Sequence, residues 1–155
     1  MNQLTPTALL AYRADSGYDT DYLLWIERQR SLLQAQQFEQ LDLDNIIEEF
    51  GAMAINQRHE VRSRVEVLLM HLRKCQFQPE HKSVSWLGTI HEQRSHIEQR
   101  LEDSPSLRKL VGEFALKRYA SAVRWAASDT GLPVSCFPEF NLYTEEQLLD
   151  PDFVP

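Results

Sequence analysis

Glu49, His71 and Lys74 are the side chains of this sequence best suited to chemistry. A carboxylate and an imidazole can pass a proton to and from a substrate, and an ammonium can hold an anion beside them. Placed at 100° per residue on a helix, the three share one flank with Met53, Asn56, Glu60, Ser63 and Arg64. Glu49 lies about 120° from the centre of the neighbouring apolar stripe and Glu48 about 130° away on its other side, so only one of them lines a given flank. The pair Glu49 and His71 is separated by 22 residues, roughly 33 Å along a straight helix. An acid–base enzyme of hydrolase or nuclease type therefore requires the helix to break and fold back between them.

Other chemical patterns fail on spacing. In LDLDNIIEEF (41–50), Asp42 and Asp44 sit where a helix begins, and capping together with the helix dipole accounts for them. A calcium loop needs alternating oxygen ligands over twelve residues, whereas Ile46 and Ile47 interrupt this run. In HEQRSH (91–96) the histidines are five apart rather than four, about 140° around a helix, so the pair cannot share one zinc ion. No Glu-x-x-His, phosphate-binding glycine loop or nucleophile elbow is present. No metal and no cofactor is expected. His71, inside LLMHLRK, also fits a histidine at the edge of a core, and Glu60 fits an ion pair with Arg64 one turn on.

The elements that carry these residues follow from apolar periodicity. Asp19-Thr20 opens a first helix with Tyr22, Trp25, Ile26, Leu32 and Leu33 on its apolar side, ending near Ala35. A long second helix spans 42–77. Its stripe comprises Leu43, Ile46, Ile47, Phe50, Ala54, Val61, Val65, Leu68 and Leu72, and a break, if there is one, belongs near 51–58. Ser83 or Ser85 caps a third helix that buries Trp86, Ile90, Ile97 and Leu101. Ser104 and Pro105 open a fourth, which buries Leu107, Val111, Phe114, Ala115, Ala122 and Trp125 and ends near Gly131. Arg118 falls within that stripe and, unless it snorkels to water, needs a carboxylate partner. The reading is an all-α bundle of four to five helices in one domain, 1–155. It has a loose opening segment, 1–17, and an irregular Pro-containing strap, 136–155, pinned by Phe137, Tyr143, Leu148 and Phe153.

Composition bounds the setting. The 155 residues are 43% hydrophobic and 25% charged, in the range of a folded globular chain. No membrane span or secretory leader is evident, and Cys75 and Cys136 stand far apart as reduced thiols, so a cytoplasmic protein is expected. The net charge of −7 is unevenly spread. Residues 1–57 carry three Lys/Arg against nine Asp/Glu, 58–118 carry twelve against eight, and 119–155 carry one against six. Two acidic ends around a basic middle suit self-neutralisation in the fold or a protein partner. Nucleic acid could meet Arg58, Arg62, Arg73 and Lys74, although the overall acidity opposes attraction to phosphate.

Strings along nearly the whole chain resemble a bacterial family known only as domain of unknown function 29. They include YDTDYLLW (18–25), LDLDNIIEE (41–49), RSRVEVLLMHLRK (62–74), TIHEQR (89–94), EDSPSLR (102–108) and TGLP (130–133). The resemblance implies a helical fold and no agreed activity. It adds Asp21, Asn45, Glu48, Ser63, Arg94 and Tyr119 as candidate binding positions. Trp86, by its spacing, is a core aromatic first and a ligand platform only second. Cys75 and Leu87 stand where the family commonly has an aromatic and a basic residue. The leading functional expectation is a non-enzymatic protein-interaction or regulatory module.

Overall fold

The computed structural model describes residues 17–155; the loose opening segment lies outside them except for Gly17. The chain is all-α. Its described residues comprise α1 (Tyr22–Gln34), α2 (Leu43–Phe77), α3 (Val84–Asp103), α4 (Val111–Thr130) and α5 (Glu145–Leu149), with short 3-10 turns between them. No strand occurs among the described residues. The chain forms two compact units, one ending at Met53 and the other running from Ala54 to Pro155.

In the first unit, α1 is capped by Asp21, whose side chain accepts from the Leu24 amide at 3.0 Å. The cap is thus one residue later than Asp19-Thr20, and its carboxylate answers one of the orphan amides of the first turn. The chain leaves α1 through Gln36, which takes a left-handed φ of 57°. Only Trp25, Leu32 and Gln29 of α1 are buried; Tyr22, Ile26 and Leu33 are exposed. The same correction applies to the start of α2. Leu43, Ile47 and Phe50 are 56%, 68% and 64% exposed, Ala54 is exposed and Ile46 is half-buried. Periodicity marks which side of a helix is apolar, but it does not say whether anything covers that side.

α2 runs unbroken from Leu43 to Phe77, so no break exists at 51–58. Gly51 has only open space around it and imposes no bend. Every residue from Met53 to His59 is exposed. From Val61 onward the expected stripe is in force: Val61, Val65, Leu68 and Leu72 are all fully buried.

The second unit is built on that stripe. Ile90, Ile97 and Leu101 from α3 meet it, with Val111, Phe114, Ala115 and Ala122 from α4. Ser83, not Ser85, caps α3, accepting from the Trp86 amide at 3.2 Å. Ser104 and Pro105 do not open α4. Residues Pro105–Leu110 form 3-10 turns, and α4 starts at Val111. The tighter turn still buries Leu107. Trp125, expected in the core, is 51% exposed; α4 has enough small buried residues, Ala122, Ala126 and Ala127, for its neighbours to pack close without it. Gly131 ends the helix with a φ of 71°, a conformation that suits glycine.

The strap behaves as its sequence indicates. Thr144 and Gln147 form a reciprocal capping box for α5. Phe137 and Leu148 are buried in the core, and Tyr143 and Phe153 pack against it and edge to face with each other. Arg94, itself buried, fastens the strap by donating from Nε to the Leu148 carbonyl at 2.8 Å and from Nη2 to the Gln147 carbonyl at 3.0 Å. Tyr119 adds a bond to the Pro138 carbonyl at 2.8 Å.

Candidate functional site

The first unit carries a cleft of about 310 Å³ between α1 and the first turns of α2. Its walls include Tyr22, Trp25, Ile26 and Leu33 from α1 and Ile46, Phe50 and Met53 from α2, with Arg30 and Glu49 as the charged groups. Tyr22, Ile26, Leu33, Phe50 and Met53 are each between 39% and 64% exposed. Large apolar side chains gathered around a concavity on a folded chain mark a binding surface more often than scattered exposure does.

One end of the cleft is held rigid by hydrogen bonds. Glu49 accepts from the Tyr18 hydroxyl at 2.6 Å and from the Tyr22 hydroxyl at 2.7 Å, one on each carboxylate oxygen. These bonds hold the Glu49 carboxyl below its usual range. The bond to Glu49, more than anything else, pushes the Tyr18 phenol up to about 12. Tyr18 also packs edge-on against Tyr22 and Trp25, while Tyr22 and Trp25 stack. Behind them, Asp42 accepts from Asn45 Nδ2 at 2.7 Å and from Trp25 Nε1 at 3.0 Å, and its own amide donates to Gln29 at 2.9 Å. The Asn45 side chain is the main reason the Asp42 carboxyl lies below its ordinary value. Asn45 and Glu49 thus serve as framework. Glu48 is exposed.

The remaining candidates lie in the second unit. His71 is half-buried, with Nδ1 at 3.0 Å from the Val67 carbonyl; because a carbonyl only accepts, Nδ1 carries the proton. Burial, aided by Lys74, lowers its pKa. Lys74 is buried, bonds Asp129 at 2.8 Å and sits 4.5 Å over the Trp86 ring. Ser63 Oγ is 3.4 Å from His59 Nδ1, and Glu60 pairs with both Arg64 and Arg100. Arg118, half-buried, both reaches solvent and faces the Glu66 carboxylate at 3.8 Å. The structure therefore gathers His71, Lys74 and Trp86. The helix carrying Glu49 and His71 is continuous from Leu43 to Phe77, so the break that their acid–base pairing demands is absent. Of the four cations considered for nucleic acid, Arg73 and Lys74 are buried.

Because its pKa is lowered, folded His71 binds a proton less readily than the unfolded chain, whose value is near 6.5. Its contribution to stability is complete above that pH and is lost as pH falls through the lower folded pKa. In a proton NMR titration His71 should show a midpoint below 6.5. His71→Gln should flatten the acid limb of the stability profile relative to wild type.

The sequence places Ile26, Leu33 and Phe50 on apolar stripes expected to be buried and Met53 on the Glu49 flank, and nothing in it marks Tyr18. A usable signal is present: Leu43, Ile47 and Phe50 stand on the stripe in Glu49's half of the helix, where charged and polar neighbours outnumber apolar ones.

By fold and site, the described residues form an all-helical protein with an open apolar cleft between two of its helices. The chain matches the family model described as Domain of unknown function DUF29 over residues 18–154, and it belongs to that family. No curated protein and no solved structure matches it.

Proposed function

We propose that this chain is a non-enzymatic interaction module of the cytoplasm, binding a protein partner through the apolar cleft of its first unit. The observation that carries the reading is the set of five large apolar side chains, Tyr22, Ile26, Leu33, Phe50 and Met53, exposed around a cleft whose floor residue Trp25 is pinned in place. Leaving such side chains in water forgoes roughly 1.5–3 kcal/mol of burial energy for each, so a surface of this kind has most to gain from an apolar partner. Preformed aromatic walls lower the ordering cost of binding. The two unpaired thiols, Cys75 buried and Cys136 exposed, suit a reducing compartment. Among the described residues no helix is long and apolar enough to cross a membrane.

A photoreactive methionine at position 53 tests the reading in living cells. Light should link position 53 to a protein chain, and Phe50→Glu should abolish the link while leaving helix content unchanged. Absence of any cross-link, together with turnover of a small substrate by the purified chain, would overturn it.

A further inference from the structure

The cleft carries features of a surface that recognises itself. We propose that its occupant is a second copy of this chain, the two first units packing face to face about a two-fold axis. This rests on the interaction reading above and names the partner.

Area supplies one argument. The five exposed cleft residues each offer roughly 100 Å² of apolar surface, so two copies bury about 1,000 Å² between them, the level at which a protein interface becomes specific.

Charge supplies the second. Arg30 and Glu49 line the same cleft, and no ion pair or hydrogen bond joins Arg30 to any described residue. Two-fold packing sets residue i of one copy against residue j of the other and j against i. A patch holding one free cation and one anion can therefore neutralise itself twice, with Arg30 of each copy on Glu49 of the other. Glu49 is already oriented for this, because both of its oxygens are held by Tyr18 and Tyr22, and a carboxylate oxygen retains a further lone pair for a guanidinium. An unrelated apolar partner needs neither charge.

Sedimentation equilibrium on the full chain from about 1 to 200 μM spans the range expected of a modest interface. Wild type should show a monomer–dimer equilibrium. Phe50→Glu and Ile26→Glu should each weaken it at least about 30-fold, as loss of a central contact does, with far-ultraviolet circular dichroism unchanged because both side chains are exposed in the monomer. Arg30→Glu alone and Glu49→Lys alone should each weaken it about tenfold by setting like charges together. An equimolar mixture of those two variants should associate as tightly as wild type, because both cross-pairs become complementary. A monomer throughout the range overturns the proposal. So does a dimer indifferent to Phe50→Glu, or one that mixing fails to restore. If the chain is monomeric but position 53 still cross-links to a different protein, self-association is wrong and the interaction reading stands. If neither occurs, both fall.

Discussion

Leu68→Ala should lower the unfolding free energy by about 3 kcal/mol, whereas Leu43→Ala should change it by less than about 0.5 kcal/mol. Both leucines lie on one apolar stripe of one continuous helix, and the same two methyl groups and their branch carbon are removed in each case. Leu68 is fully buried among the core residues of α3 and α4, so its truncation loses the transfer energy and leaves a cavity that close-packed neighbours fill only in part. Leu43 is 56% exposed in the first turn of α2, where alanine is at least as good a helix former. Urea unfolding of the two variants, monitored by far-ultraviolet circular dichroism, measures the difference directly. Equal losses would mean that the first turns of α2 are covered after all.

Arg73→Ala should cost about 3 kcal/mol while Arg73→Met stays within about 1 kcal/mol of wild type. Arg73 is wholly buried, yet no carboxylate pairs with it among the described residues. Its guanidinium instead lies 4.1 Å from the Tyr143 ring centre and 5.0 Å from that of Tyr119. Nη1 donates to Gln76 Oε1 at 2.7 Å, an oxygen that also accepts from the Tyr143 hydroxyl. Nε and Nη2 are buried without hydrogen-bond partners. Two desolvated cation–π contacts are worth roughly 2 kcal/mol each, and the unmade hydrogen bonds cost roughly 1–3 kcal/mol each, so the charge comes close to breaking even. What remains is volume. Methionine fills most of it between the rings, while alanine leaves a cavity under the strap. A methionine variant as unstable as the alanine one would show that the tyrosine contacts outweigh the desolvation they oppose. The ring contacts also explain part of Tyr143's setting: burial pushes its phenol up to about 12 despite the nearby guanidinium.

Much of the local structure was legible in the chain itself. The α2 pattern has no proline, and its apolar residues recur at helical spacing, so a helix over 42–77 follows from backbone sterics and side-chain direction alone. The Thr144–Gln147 capping box, the left-handed stop at Gly131 and the Glu60–Arg64 pair are contacts within a few residues, which sequence spacing determines. The missed boundary at Val111 is also local: Pro105 fits the first position of either a 3-10 or an α turn, and the sequence does not choose between them.

Burial was decided elsewhere. Ile47 and Leu68 look alike to any periodicity argument, and what separates them is that α3 and α4 return to cover one and nothing described covers the other. Trp125 and Trp25 differ in the same way, one exposed on α4 and one buried with its indole nitrogen bonded to Asp42, seventeen residues away. The sequence by itself determined the helices, their caps and the apolar side of each, because those depend on neighbours three or four residues apart. Which apolar sides meet depends on contacts between residues dozens of positions apart, so only the tertiary structure could turn half of one stripe into a core and leave the other half as an open cleft.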